Sequence, residues 1–499
     1  MTSAVVTTPQ ERGWSTPEWV MTGLLLAVFV LGVVSSTALP GAVQLTVVAG
    51  FLITSLLLPL AHRSRAGADL GAFLLVPTII SASQNLYLLP VASELGTSQF
   101  QVVIVLNFLF AVCMLAVTAA ARPETRIQSA TGADRRRLTT LVAWPLIALS
   151  AYGAFTVVLF DVEPTAALAS YRNLVTPLLF TIIGLVAARS TGVRPYTVGL
   201  VALGVAVVLF GFVEDSVPGF WQNAGLEPLW NAKGLSVASS TGVPPNFYSS
   251  ELIGDSPVRR MVSSFADPVH FGTFLFAAFM GAWYLRRRLL MVLFLVAAAL
   301  AVSKGAFLSV LVFVAVWTWR AAPRWAFTAA VVAVAGAGVL FYGFSLDNST
   351  GSTTTHVDGL LAAFTELPSH PLGRGLGNIG VLASLFHEGS ESEIRETGLG
   401  MVIGQLGVVG LAAYIAFFTV LIRRAVRLPG RRSTFALALL LGFLANASFN
   451  EVAMSPNSAA PYFVLVGLLL GAPRPARVPD VDEPTTPKPL RPEELTPWN

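Results

Sequence analysis

Residues 196–213 read YTVGLVALGVAVVLFGFV, a run without a charged side chain. Such a run is typical of a membrane-spanning helix, which needs about 20 mostly apolar residues. Arg194 lies shortly before the run and Glu214 directly follows it, so charged side chains bound it on both sides. The fold class depends on how often this pattern recurs in the chain.

The pattern recurs over nearly the whole sequence. Hydrophobic residues make up 54% of the chain and charged residues 12%, whereas an ordinary soluble domain has about 25% charged residues. We therefore predict an all-α polytopic membrane protein with about 14 spans. These are expected near 19–38, 41–60, 70–90, 102–120, 140–160, 173–188, 196–213, 268–285, 289–303, 305–319, 325–344, 397–422, 433–450 and 458–471.

The basic residues predict the orientation of these spans. They cluster in every second connection, which the positive-inside rule assigns to the cytoplasm. Both termini are then cytoplasmic: residues 1–18 as a polar tail without a cleavable signal peptide, and residues 473–499 as a disordered tail rich in Pro and acidic residues. Residues 19–472 form the membrane domain. The clusters are His62/Arg63/Arg65, Arg122–Arg137, Arg189/Arg194, Arg286–Arg288, Arg320/Arg324 and Arg423–Arg432.

Two further features of the composition reduce the number of possible functions. The isoelectric point of about 9.4 reflects these topological clusters, so we expect no nucleic-acid partner. Cys113 is the single cysteine, which excludes an intrachain disulfide and makes redox chemistry an unfavoured function.

Two long polar loops, near residues 214–267 and 345–396, interrupt the spans. The charge alternation places both on the outer side, where they can close over one site. The first loop carries scattered aromatic residues, which suit either stacking on sugars or a membrane-interface belt: Phe220, Trp221, Trp230, Phe247 and Tyr248. It ends in Arg259 and Arg260, which suit either bidentate binding of a phosphate or structural pairing with Asp255 or Asp267.

The second loop predicts a short amphipathic helix on the membrane surface. Val357, Leu360, Leu361, Phe364 and Leu367 recur at helical spacing before Pro368. His356 is expected at the helix N-terminus, where an anion is favoured.

A Gly-rich turn and a charged cluster complete the second loop. The turn contains His370 and Arg374 and offers backbone amides together with a cation. His387, Glu393 and Glu396 follow, among further acidic residues. Three interpretations stay open for this cluster: a solvated charged rim, a general-base and phosphate-binding cluster, or a divalent-metal site without an established ligand spacing.

Several motifs resemble the O-antigen ligase/polymerase superfamily over roughly residues 140–470. They are Tyr171-Arg-Asn-Leu-Val-Thr-Pro177, Arg260-Met-Val-Ser-Ser-Phe-Ala-Asp-Pro268, Ser303-Lys-Gly-Ala306, His370-Pro-Leu-Gly-Arg-Gly-Leu-Gly377 and Gln405-Leu-Gly-Val-Val-Gly410. Three positions depart from the family pattern: His356 and Lys304 stand where arginine is common, and Glu396 stands where ligases often have histidine. The first and third departures favour a polymerase, or a ligase with another acceptor, over a lipid A-core ligase.

The resemblance implies an inverting glycosyltransferase in the bacterial inner membrane that needs no metal or other cofactor. It would transfer a glycan from an undecaprenyl-pyrophosphate carrier to the hydroxyl of a glycan or glycolipid acceptor at the outer face, with other polysaccharide-assembly proteins as further partners. On this view Glu396, Glu393 and His387 are catalytic candidates. The pyrophosphate-binding candidates are Arg260, Arg259, His356, Arg374 and His370.

Other classes remain as alternatives. A lipid-linked oligosaccharide flippase or other polysaccharide transporter would also need many spans, but it predicts charged residues inside the spans, whereas the sequence places them at span ends, with Lys304 as the main exception. A lipid-linked-sugar mannosyltransferase would carry acidic residues in a large first outer loop, and this chain has only a short one near Pro40. A non-catalytic scaffold is the third alternative.

Overall fold

A computed structural model of the protein describes residues 71–94, 96–120, 129–189, 191–253, 256–348, 352–380 and 396–472. This part of the chain is mostly helical. Its helices are α1 (Gly71–Leu88), α2 (Thr97–Ala120), α3 (Ser129–Leu159), α4 (Pro164–Ala187), α5 (Val193–Ser216), α6 (Phe220–Asn223), α7 (Glu227–Ala232), α8 (Pro268–Tyr284), α9 (Arg288–Leu300), α10 (Lys304–Ala321), α11 (Arg324–Asn348), α12 (Ser352–Thr365), α13 (Gly398–Val426), α14 (Gly430–Ala447) and α15 (Pro456–Gly471).

Six helical segments of the described chain are long and apolar enough to cross a membrane. Four shorter helical segments are also apolar, and the chain is a helical membrane protein. Each predicted span from 70–90 onward coincides with a helix, whereas the spans at 19–38 and 41–60 lie outside the described residues. The total of fourteen spans stays a prediction. The six are Phe73–Ser93, Ala133–Leu159, Pro164–Ala187, Val193–Ser216, Lys304–Ala321 and Gly398–Val426.

Helix α4 begins well before residue 173, where the sequence predicted its start. Pro164 occupies the first turn, and the carboxylate of Glu163 accepts a hydrogen bond from the Ala166 amide at 2.7 Å. A capping carboxylate and an N-terminal proline are strong helix-start signals. Arg172 therefore lies inside the helix, and the prediction that charges stay at span ends is wrong for this residue. Lys304, predicted to be the exception, lies at a helix end instead.

The bundle is built around α4 and α15, which approach each other through small residues. A Cβ at Gly184 would lie 2.5 Å from the Val464 carbonyl oxygen, and a Cβ at Gly467 would lie 2.4 Å from that of Thr181. Small residues let helix backbones pack this closely in a bilayer, where burial of apolar surface supplies little attraction between helices. This pair forms the buried centre of the described bundle.

The polar residues that weaken the span predicted at 70–90 have a structural role. Asn85, in α1, is buried, and its side-chain amide donates to the carbonyl oxygens of Ser264 and Phe265. Its amide oxygen accepts from the ammonium group of Lys233. Asn85 thus anchors the long connection between α5 and α8 to the bundle.

That connection is a folded unit with its own small core. Strands β1 (Tyr248–Ile253) and β2 (Ser256–Arg259) form an antiparallel hairpin, which is an exception to the predicted all-α class. Trp221, Trp230 and Phe247 are fully buried, and the rings of Trp230 and Phe247 meet edge to face with centroids 5.3 Å apart. Both interpretations of these three rings, sugar stacking and an interface belt, are therefore wrong.

The two ends of the bundle differ in composition. The end with the connections at 188–192, 285–287, 322–323 and 427–429 is called the basic end. At this end the Arg424 guanidinium lies 3.4 Å from the Asp134 carboxylate. The opposite end, with the connections at 160–163, 217–267, 301–303 and 448–455, is called the cavity end. The predicted segregation of basic connections to one side agrees with this arrangement, and their cytoplasmic assignment stays a prediction.

Candidate functional site

A cavity of about 310 Å³ opens at the cavity end. Five separate parts of the chain contribute to its wall: the hairpin connection, the turn between α9 and α10, helix α12, the start of α13 and the connection between α14 and α15. Its lining residues are Leu235, Asn246, Ser249, Arg260, Asp267, Val269, Val302, Ser303, Lys304, Gly305, His356, Glu396, Asn450, Glu451 and Val452.

Arg260 is held in place by backbone carbonyl groups. Its Nε donates to the Ala301 oxygen at 2.9 Å, and its two terminal nitrogens donate to Val302 and Asn246 oxygens, each at 3.3 Å. Carbonyl groups fix the orientation of the guanidinium without neutralising its charge. Arg260 therefore presents an oriented cation to the cavity.

Asp267 lies beside Arg260 and joins the cavity wall to helix α8. Its Oδ1 accepts from the amides of Val269 and His270 at 2.8 and 2.7 Å, and its Oδ2 accepts from Asn246 at 2.9 Å. Burial would raise the pKa of Asp267, but His270, these hydrogen bonds and the charge of Arg260 lower it to about 2. Asp267 is thus an ionised helix cap.

The turn between α9 and α10 brings a second cation to the cavity. Lys304 is the first residue of α10, directly after Ser303, whose hydroxyl accepts from the Ala306 amide at 3.4 Å. The next residue must be glycine, because a Cβ at position 305 would lie 1.9 Å from Oδ1 of Asn446. This close approach sets where Lys304 stands relative to α14.

His356 and Glu396 contact each other in the cavity wall. The His356 Nδ1 lies 3.5 Å from the Glu396 carboxylate and 3.3 Å from its carbonyl oxygen. The His356 side chain is 14% exposed and that of Glu396 is 40% exposed. Burial lowers the pKa of His356, and Lys304 lowers it further, while Glu396 opposes both effects.

The position of His356 differs from the prediction. Helix α12 begins at Ser352, so His356 is one turn inside the helix and not at its N-terminus. An anion bound at the N-terminus of α12 would therefore not lie next to His356, contrary to the prediction from the sequence. The amphipathic helix itself is confirmed, with its Leu361 and Phe364 side chains about half exposed.

Glu451 supplies a third carboxylate to the cavity, after Asp267 and Glu396. It is almost fully buried, and its backbone amide donates to the Glu396 carbonyl oxygen at 3.3 Å. Its carboxylate also packs on Gly380, where an added Cβ would lie 2.8 Å from Oε2. Sequence reasoning missed Glu451, since a single glutamate next to a span carries no motif.

Arg259 has a structural position outside the lining of this cavity. Its guanidinium lies 2.7 Å from the Glu214 carboxylate and stacks 5.0 Å from the centre of the Phe247 ring. The Glu214 carboxylate also accepts from the amides of Val262 and Ser263. Two adjacent arginines thus have different environments, and only Arg260 lines the cavity.

The Gly-rich turn with His370 and Arg374 also lies outside the lining. Its amides are used within the fold: Arg374 and Gly375 donate to carbonyl oxygens of α13 at 2.9 and 3.1 Å. They dock onto a kink at Gly407, which has a φ of +55°. The side chain of Arg374 pairs with Glu366 at 2.8 Å, and His370 is exposed beside Ser369.

The remaining candidates, His387 and Glu393, lie outside the described residues, as does most of the charged cluster on which the metal alternative depended. Among the residues that the structure does describe, no group of three or more His, Cys, Asp or Glu side chains is placed to hold a metal ion. The described part of the cluster, Glu396, lies in the cavity.

The fold and the cavity define a helical membrane protein with a charged site at one end of its bundle. Comparison with known proteins adds no relative: no protein-family model matches the sequence, and no match was found among curated proteins.

Proposed function

We propose that the protein is a glycosyltransferase of the O-antigen polymerase or ligase type. It would transfer a glycan from an undecaprenyl-pyrophosphate donor to an acceptor hydroxyl at the outer face of the bacterial inner membrane. The motif resemblance supports the reaction class, and the orientation inferred from the basic connections supports the outer location.

The observation that carries the proposal is the composition of the cavity. Arg260 and Lys304 line the same space as the carboxylates of Glu396 and Glu451. A glycosyl pyrophosphate donor needs cations where the pyrophosphate departs and a carboxylate where the acceptor loses its proton. The cavity offers both kinds of group.

In the proposed reaction the acceptor oxygen attacks the anomeric carbon as the bond from that carbon to the phosphate oxygen breaks. The acceptor proton passes to a carboxylate, and the lipid pyrophosphate leaves with its negative charge stabilised by Arg260 and Lys304. Attack opposite the leaving group inverts the anomeric configuration. Arg260, which three carbonyl oxygens hold in the resting structure, is then in place before charge develops.

We assign the role of general base to Glu396. Its side chain is the most exposed of the three carboxylates that line the cavity, so an acceptor hydroxyl can reach it, and it lies next to His356. The lowered pKa of His356 keeps the imidazole largely neutral near pH 7. The neutral ring then orients the carboxylate without holding its proton-accepting oxygen in a full ion pair. Glu451 would position Glu396 through the backbone hydrogen bond that joins them.

The proposal is tested by deleting the gene and comparing surface glycan length with the lipid-linked pool. Accumulated single repeat units indicate a polymerase, and accumulated lipid-linked polymer indicates a ligase. Either result supports the proposal. Repeat units confined to the inner leaflet would instead indicate the flippase alternative, and an unchanged glycan would contradict both.

A further inference from the structure

A second cavity, of about 440 Å³, lies at the basic end. Every charged side chain among the described residues that line it is an arginine: Arg194, Arg286, Arg431 and Arg432. Arg286 and Arg431 are close enough to repel each other. Four like charges around one space favour an anion there, because an anion removes the mutual repulsion.

Helix orientation adds to the positive potential. Helices α5, α9 and α14 all begin at this end, and none of the three has a side-chain hydrogen bond at its N-cap. A helix N-terminus carries a partial positive charge that acidic side chains usually compensate. Here Arg194 and Arg431 occupy first-turn positions instead. The helix dipoles and the guanidinium groups therefore both make the electrostatic potential at the cavity more positive.

The surroundings of the cavity are those of a membrane interface. The Arg431 guanidinium lies 4.2 Å from the centre of the Trp283 ring and donates to the Trp283 carbonyl oxygen. Tyr284, which lines the cavity, stacks on Phe435 at 4.7 Å. Arginines stacked on aromatic rings at the ends of apolar helices are typical of the headgroup region. An anion at this position is most readily supplied by the bilayer.

We infer that this cavity binds the phosphate of an anionic phospholipid headgroup, with phosphatidylglycerol as the simplest ligand of this class. Basic cavities between helices on the cytoplasmic side bind such headgroups in membrane proteins. The site lies at the end opposite the cavity with Arg260, and the inference does not depend on glycan transfer. The protein then binds one anionic lipid at its basic end.

Native mass spectrometry of the purified chain tests the inference. Wild type incubated with equal amounts of phosphatidylglycerol and phosphatidylcholine should retain phosphatidylglycerol selectively. The double variant Arg286→Gln/Arg431→Gln should bind it about thirtyfold more weakly, as expected for the loss of two basic contacts to an anionic lipid. Arg286→Lys/Arg431→Lys keeps both charges and should restore most of the binding.

The matched control is Arg287→Gln/Arg288→Gln, which removes one charge from the same connection and one from the first residue of α9 but none from the cavity lining. It should retain phosphatidylglycerol as wild type does. Equal retention by the Gln variant of the cavity arginines would overturn the inference, as would equal retention of phosphatidylcholine by wild type. Thermal stabilisation by inorganic phosphate that matches the lipid would also overturn it, since the site would then serve a free anion.

Discussion

Each end of the helix bundle has a cavity lined by basic side chains, but the surroundings of these charges differ between the two ends. At the cavity end, Arg260 and Lys304 share one space with Glu396 and Glu451, and Arg260 is fixed by three carbonyl oxygens. At the basic end, four arginines surround a space whose described lining has no opposing charge, and Arg194 and Arg286 are exposed.

The contrast separates two uses of arginine in a membrane protein. A fixed cation beside a carboxylate can stabilise a leaving anion while a proton is removed nearby. A group of exposed cations at a membrane interface can bind an anion but supplies no base. The predictions below test whether the two ends differ in this way.

The largest effect is expected for Arg260→Ala. Loss of an oriented cation at the leaving pyrophosphate should lower the rate of glycan transfer by about a thousandfold. The rate is measured with the purified chain and a lipid-linked glycan donor, and the unfolding temperature is recorded for each variant. Arg320→Gln, an exposed substitution near the basic end, should leave the rate unchanged. If Arg260→Ala transfers glycan at the wild-type rate, Arg260 does not stabilise the leaving pyrophosphate, and the proposed difference in function between the two ends is wrong.

Glu396→Gln should lower the transfer rate by about a hundredfold, because the amide cannot accept the acceptor proton. Binding of the lipid donor, measured separately, should change little, since the amide keeps the size of the side chain. The matched variant is Glu366→Gln, whose carboxylate pairs with Arg374 outside the cavity lining. If both variants lose the same activity, Glu396 has no special role as a base.

Gly305→Val should destabilise the fold by about 2 kcal/mol, because overpacking at a tight contact forces the backbone apart. The Cβ would meet Asn446, which is itself bonded to Thr273 at 2.8 Å. Gly336→Ala is the control, since an added Cβ there meets nothing within 4 Å. The comparison uses reversible unfolding in mixed micelles. Equal stability of the two variants would show that α10 and α14 can separate without cost.

The smallest effect concerns pH. The pKa of His356 is lowered in the folded state from its ordinary value of 6.5, so the unfolded chain binds the proton more readily. This contribution to stability is fully present above pH 6.5 and is lost as the pH falls through the lowered pKa. His356→Gln should therefore flatten the dependence of unfolding temperature on pH below 6.5. A slope unaffected by His356→Gln would mean that the imidazole is equally solvated in both states.

Much of the fold could be predicted because it depends on local runs of sequence. Apolar stretches gave the helices from 70–90 onward, and the amphipathic spacing around Leu360 gave α12. The start of α4 was missed because Arg172 and its polar neighbours resemble a helix boundary, whereas Glu163 and Pro164 determine the actual start. Local signals compete at such places, and the cap that Glu163 forms favours the longer helix.

The candidate site was less predictable. Arg260, His356 and Glu396 were identified from the sequence and lie together, but Arg259, Arg374 and His370 do not line the cavity. Nothing in the sequence separates Arg259 from Arg260. Their roles differ because Glu214 and the turn at Ala301, both distant along the chain, approach one guanidinium each.

The sequence by itself determined that the chain is helical and membrane-embedded and that its basic connections alternate, since these properties depend on run length and on the charge of short segments. Only the tertiary structure decided which charged groups share a cavity. Lys304 meets His356, and Glu451 meets Glu396, because helices far apart in sequence are held together by close contacts such as that of Gly305 with Asn446. Such contacts depend on the shapes of two surfaces at once, and no single stretch of sequence contains both.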